Sequence, residues 1–404
     1  MHQQQAHAHH YVPQWYQRRF LKQGQTQFFY LDLHPETVQR PGGSYQRTAL
    51  RRLGPVNCFY LDDLYTLRFG GATTDVMERR FFGAIDRVGE LSVPEFAKLA
   101  RINDSVIEAS RRFIDYMGAQ RFRTPRGLDD IRARPEFYKE PDKNTVLKTL
   151  QGVSQSYTVM WAEGVWEIVR ARQSPTKFIV TDDPVTLYCK SVFTSEWKYP
   201  NDVSVRQIGT RTLYPLGLDS CLIITHLQLA RNPWSTPTEP RENARFGGQT
   251  DKHLMHIQFD RELEEDEVVR INYILKKRAT RYIAAAEEKW LYPERDPSVT
   301  SWLNLDDDWF LLPHLWKVPF SVGTFVGHKD GSVWAADEYG RNPGQPKYKD
   351  KKQRDQEWVI TQEAKKEWAK KRLGKSRAHR DKFGGGDLGD VSLDAFLRKE
   401  GLLL

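Results

Sequence analysis

The hydrophobic period of this chain changes twice along its length, and that pattern constrains the fold more than any single motif. Segments 28–33 (FFYLDL) and 58–67 (CFYLDDLYTL) alternate apolar and polar residues as half-buried strands do, with turn residues at 40–43 and 53–55. From Thr73 to about Gly118 the spacing becomes helical, with Val76, Phe81, Phe82, Ile85, Val88 and Leu91 on one face. A second helix is expected from near Ser92, with Pro94 in its first turn and Glu95 three residues after the cap. A third is expected over 104–117, and a long one over 145–172, interrupted at Gly152 and Gly164. Strand patterns return at 177–188, 211–216, 221–226 and 253–259, and residues 262–286 read as one strong helix. Strand clusters on either side of a helical middle third predict an α+β fold.

At 404 residues the chain exceeds a typical ~150-residue domain, so two domains or one elaborated domain are expected. Its 12% aromatic content argues against wholesale disorder. The formal charge of +8 is local: residues 345–382 carry fourteen Lys/Arg and six Asp/Glu, which accounts for all of it. The body is neutral. The expected organisation is a disordered end at 1–8, an α+β module at 9–292 and a small β-rich extension at 293–344. A basic helix at 345–382 and a glycine linker with an amphipathic tail at 383–404 complete it.

Three dispersed cysteines (Cys58, Cys189, Cys221) exclude a disulfide framework and a zinc ribbon, and suit a reducing cytoplasm. The polar N-terminus lacks the apolar stretch of a signal peptide, and no apolar run approaches the ~20 residues that span a bilayer. No membrane association is expected. Phosphate-loop, dinucleotide-fold, HExxH and GxSxG patterns are all missing from the sequence.

The segment HYVPQWYQRRF (10–20) is similar to the opening signature of a bacterial domain family of unknown function, HYVPQ-x-Y-L-R-x-F. His10, Tyr11, Val12, Pro13, Gln14, Tyr16, Arg18 and Phe20 match it, and Gln17 stands where the family has Leu. NCFY (57–60), MERRFFGAID (77–86), FIVTDDPV (178–185), TLYPLGLDSCLIIT (212–225) and INYILKKRATRYIA (271–284) resemble further landmarks in the family's order, over about residues 9–290. FIVTDDPV has Asp183 where Asn is usual. The resemblance implies boundaries rather than chemistry.

Within those landmarks, His10, Arg18 and Asp182 are the candidate catalytic residues. Histidine suits proton transfer near neutral pH, and a carboxylate at the end of a buried strand is held rigidly. An arginine fork matches a phosphate oxygen pair. Together they would suffice for phosphodiester cleavage, with Asp182 and Asp183 as ligands if Mg²⁺ or Mn²⁺ takes part. The competing reading is structural: Asp before Pro commonly caps backbone N–H groups, and His10 would satisfy a carbonyl. Asn272 is expected in the core. His253 and His256 fall on opposite faces of a strand, and Asp306–Asp308 reads as a solvated turn or helix cap.

Candidate nucleic-acid contacts are Arg111, Arg112, Arg121 and Arg123, interleaved with Phe113, Tyr116 and Phe122, and Lys351, Lys352, Lys370 and Lys371 in the basic segment. A solvated helix face explains the first group equally well, and i, i+4 pairing on an exposed helix the second. Trp358 and Trp368 argue that one face of that helix is docked. The expected function is a nuclease acting on RNA or DNA in a bacterial conflict or antiphage system. The alternative is a non-catalytic adaptor that engages a protein partner through its C-terminal helix and tail.

Overall fold

The computed structural model describes residues 7–41, 43–69, 72–75, 77–192, 201–242, 256–320 and 324–382. The expected disordered end (1–6 of 1–8), the tail at 383–404 and His253 lie outside the described residues; Ala8 belongs to a strand. The fold is α+β. The N-terminal region runs β1 (Ala8–His10), α1 (Gln14–Arg18), β2 (Phe28–Asp32), β3 (Thr37–Arg40), β4 (Gly43–Gln46), β5 (Leu50–Leu53), β6 (Tyr60–Asp62), β7 (Leu67–Phe69) and β8 (Ala72–Thr74). A single π-helical segment, Met77–Phe82, leads into α2 (Gly83–Ala97), α3 (Asp104–Arg123), α4 (Pro125–Arg132) and α5 (Lys143–Glu163). Then follow β9 (Val165–Arg170), β10 (Val180–Thr181), β11 (Thr186–Tyr188), β12 (Arg211–Gly217), β13 (Ser220–Thr225), α6 (Leu227–Arg231), β14 (Ile257–Glu262), α7 (Glu265–Arg278) and β15 (Tyr282–Ala285). The hairpin β16 (Thr324–Gly327) and β17 (Val333–Ala336) precedes α8 (Lys351–Lys382).

Two sheets carry the body. One has the order β10-β15-β2-β5 and is antiparallel throughout; the other has the order β11-β12-β13-β9-β14, with only β14 parallel to its neighbour. The main core lies between these sheets and α2, α3 and α5. Phe96 and Phe113 close on Trp166 of β9 at 5.7 and 5.8 Å, and Tyr16 stacks on Tyr214 at 5.5 Å. Gln17 is buried: its amide donates to the carbonyls of Val12 (2.7 Å) and Cys58 (3.2 Å), binding α1 to the segment before β6.

Three helix boundaries differ from expectation. No helix begins at Ser92, because α2 runs through Pro94 and the Ser92 hydroxyl donates back to the Val88 carbonyl. Residues 145–172 are not one helix: α5 ends at Glu163, Gly164 adopts an extended conformation against Ile224, and β9 follows. Residues 262–286 divide likewise, into β14's end, α7 and β15.

The C-terminal helix is docked. Ala364, Trp368 and Ala369 are buried with Val165, Leu227, Leu312, Leu315 and Val318 in a second core, while Trp358 stays half exposed against Phe320. Arg372 pairs with Glu267 (2.6 Å) and Arg354 with Glu338 (2.8 Å), so the basic segment spends part of its charge on the body.

Candidate acid–base site

Strand β1 pairs with β6, His9 opposite Leu61 and His10 opposite Tyr60. Successive side chains of a strand face opposite ways. His9 therefore turns inward, where its Nδ1 accepts the Tyr65 backbone N–H at 2.9 Å and its ring stacks on Tyr65. His10 stays half buried, its Nε2 3.1 Å from the Val56 carbonyl and its ring 5.6 Å from Tyr60. Nε2 also lies 3.5 Å from the Gln14 amide nitrogen; assigning the proton by the closer partner, the carbonyl, puts it on Nε2 and leaves the lone pair on Nδ1.

Behind β1 lies the end of α3. Arg123 is fully buried, its guanidinium 4.5 Å from the Phe82 ring centre. Nη1 donates to Asp86 Oδ1 at 2.5 Å, Nη2 donates to the His10 carbonyl at 3.0 Å, and Glu78 Oε2 lies 3.9 Å from Nη2. The Tyr65 hydroxyl donates to the Arg123 carbonyl at 2.5 Å. Glu78 comes from the π-helical segment, a local widening that recurs at functional sites. One buried arginine thus gathers two carboxylates and the backbone carbonyl of His10.

Burial pushes the Glu78 carboxyl up to about 7, against the attraction of Arg123 and with help from the charges of Asp86 and Asp75. Burial also raises Asp86, opposed by the charge and hydrogen bond of Arg123 and then by His10. His10 is lowered, first by burial, with the Arg123 and Arg18 charges adding to it against hydrogen bonds that the ring donates to the Val56 and Pro55 carbonyls. Glu78 and Asp86 keep about a fifth of their side chains exposed (21% and 23%), while Glu78 Oε2, the oxygen facing Arg123, is buried. Arg18 is exposed and donates to Gln14 Oε1 at 3.1 Å, and the Gln14 amide nitrogen lies 3.5 Å from His10 Nε2.

Asp182 does not join this group. It is buried beneath Tyr11, and its carboxylate accepts the backbone N–H groups of Thr280 (2.9 Å), Arg281 (2.6 Å) and Tyr282 (2.9 Å) where α7 turns into β15. Burial raises it to about 6 in spite of those bonds, and neighbouring Asp183 adds to the rise. Both oxygens of Asp183 are held by Arg121 Nη1 at 2.6 and 2.7 Å, in a closed network with Asp130, Arg126, Asp202 and Arg278. Neither aspartate offers oxygens to a cation, which corrects their expected role as Mg²⁺ or Mn²⁺ ligands. Among the described residues no group of three or more His, Cys, Asp or Glu converges as a metal site.

Arg121 and Arg123 are core ion-pair residues rather than nucleic-acid contacts. Arg111 and Arg112 are exposed near the middle of α3, about 17 Å from Arg123 along its axis. Lys351, Lys352 and Lys370 are exposed on α8, while Lys371 donates to the Asp307 carbonyl at 2.9 Å and lies over the Trp309 ring. These eight residues form no single surface. Asp306, Asp307 and Asp308 pair with Arg211, Lys190 and Arg270, three separate cations. Asn272 is a core residue, accepting from Ile179 N–H and donating to the Lys177 carbonyl.

No family model, curated protein or solved structure matches this chain. The site therefore stands on its own geometry. Sequence reading singled out His10 and Arg18 but not Glu78 and Asp86, although MERRFFGAID holds both. No sequence signal told these carboxylates from ordinary surface ones, because their shifts come from burial in the fold, which Arg123, far along the chain, opposes. No helix among the described residues is long and apolar enough to cross a membrane.

Proposed function

We propose that this protein is a hydrolase of phosphodiester bonds in nucleic acid, working by general acid–base catalysis, and that it belongs with the bacterial family whose opening signature it shares. The observation that carries the reading is Arg123 holding the Asp86 carboxylate and the His10 carbonyl with Glu78 3.9 Å away, each carboxyl side chain about a fifth exposed and that of Glu78 poised near neutrality. An acid and a base whose environments push them apart from their usual ranges are the two parts that hydrolysis near pH 7 needs.

In this mechanism His10 Nδ1 takes a proton from the attacking water as its oxygen bonds to phosphorus. The protonated Glu78 carboxyl gives its proton to the leaving oxygen as the other P–O bond breaks. Transfer of the proton from His10 back to Glu78 through solvent restores the site. Arg18 holds a non-bridging phosphate oxygen. Asp86 and Arg123 are positioning residues: they fix the carbonyl end of β1 and set the field at Glu78.

The test incubates purified protein with RNA, single-stranded DNA and duplex DNA, each with Mg²⁺, Mn²⁺ or EDTA. Cleavage by the wild type and its loss, by two orders of magnitude or more, in Glu78→Gln and in His10→Ala is expected. Full activity in both variants would sink the site assignment, and the EDTA arm decides whether a divalent cation takes part.

A further inference from the structure

The sequence places positive charge at 111–134 and 345–382, yet in the fold much of it is buried or docked. A different segment is left open. Residues 37–57 contain four arginines (Arg40, Arg47, Arg51, Arg52) and no acidic residue, and all four are exposed. Arg47 pairs with Glu36 at 3.3 Å. The other three meet aromatic rings instead. Arg40 lies 4.8 Å from the Tyr45 ring centre, Arg51 5.8 Å from that of Tyr30, and Arg52 4.2 Å from that of Phe29. Arg40 also donates one Nη2 bond to the Tyr45 hydroxyl (3.3 Å) and Arg52 one to the Gln27 carbonyl (3.5 Å), and a guanidinium laid on a ring keeps its remaining edge N–H groups for an oxyanion.

Arg51 and Arg52 are neighbours on β5, the terminal strand of the β10-β15-β2-β5 sheet, so they flank that edge from opposite faces. The chain then runs through the turn at Pro55–Asn57 to Tyr60. Val56 is 59% exposed and its carbonyl holds His10; Tyr60 and Leu61 are exposed beside it. Val56 is the fourth residue after Arg52, at most ~14 Å away along the chain. A cationic edge thus leads directly to an aromatic ring at the proposed base.

Resting on the hydrolase reading above, we infer that β5 and the β3–β4 hairpin bind single-stranded nucleic acid and deliver it to His10. Arg40, Arg51 and Arg52 take successive phosphates, and Tyr60 stacks on an unpaired base. A duplex keeps its base faces covered and cannot use that ring, which sets the preference for single strands.

The test is fluorescence anisotropy with 5′-labelled 12-nucleotide oligo(U) and oligo(dT) and a blunt duplex of the same length, over a salt series. Wild type should bind the single strands at least tenfold more tightly than the duplex. Replacing all three arginines with alanine should weaken single-strand binding tenfold or more and flatten the log–log salt slope by about 2, at ~0.7 per lost phosphate contact. Lysine at the same positions should restore most of the slope, which separates lost charge from lost folding. Tyr60→Ala should weaken binding with the slope unchanged, and alanine at Lys351, Lys352, Lys370 and Lys371 should leave affinity as in the wild type. Unchanged binding in the triple alanine variant, equal affinity for duplex, or no oligonucleotide binding (as for a protein-binding surface) would overturn the inference. Glu78→Gln separates the two readings: it should bind like wild type and not cleave, and if it cleaves normally the acid–base site fails while the binding result stands.

Discussion

Glu78 and Asp182 are both carboxyls raised by burial, yet they are built for different ends. Glu78 keeps solvent access and a loose 3.9 Å relation to Arg123, whereas Asp182 is closed in by three backbone N–H groups. In the proposed reaction activity rises as His10 loses its proton, below its ordinary 6.5, and falls as Glu78 loses its own near 7. A bell-shaped pH–rate profile with a narrow plateau is expected, and Glu78→Asp should move only its alkaline limb. The same shift bears on stability. A carboxyl raised in the folded state holds its proton more tightly there than in the unfolded chain, so its contribution is greatest below about 4.5 and declines as pH rises to about 7. Calorimetry should therefore show a smaller fall in Tm between pH 5 and 7.5 for Glu78→Gln than for wild type. For Asp182→Ala the expected result is lost stability, ~3 kcal/mol or more in urea unfolding, since three buried donors lose their acceptor. A variant that unfolds at the wild-type urea midpoint would refute that structural role.

At the scale of elements, α8 is a second-core component. Trp368→Ala should cost about 3–5 kcal/mol, as for other large aromatic truncations, whereas the half-exposed Trp358→Ala should cost under ~1 kcal/mol; chemical denaturation of the two variants checks this. The paired tryptophans were legible in the sequence as a docked face, but not which of them is buried. What the residue pattern conveys well is period: β2, β12, β13 and the β16–β17 hairpin all fall on segments whose alternation or turn chemistry marks them. It misleads where a strand is covered on both faces. Every residue of β9 (VWEIVR) is buried, so its apolar run carries no alternation and merges with α5 before it. The alanines of β15 favour a helix locally, and pairing with β2 overrides that preference. Site residues divide in the same way. His10 and Arg18 stand on one short local motif, while the meaning of Glu78, Asp86 and Asp182 depends on partners that only the fold brings near.

Taken whole, the molecule spends part of its excess charge on its own body. Arg372, Arg354 and Lys371 bind the body, and Val165, Leu227, Leu312 and Leu315 depend on α8 for cover. Removing residues 351–404 should expose that surface, giving dye-binding aggregates in size-exclusion chromatography rather than a monomer with weaker salt dependence. The pairing of β2 with β15 has a consequence for how the chain is made. Tyr30 lies opposite Ala284, about 250 residues downstream, so at ~5–20 residues per second the N-terminal strand leaves the ribosome roughly 10–50 s before its partner exists. Until then Phe28, Tyr30 and Leu31 form an uncovered apolar segment, which makes the nascent chain a client for holding chaperones, and the arrival of β15 the step that releases it.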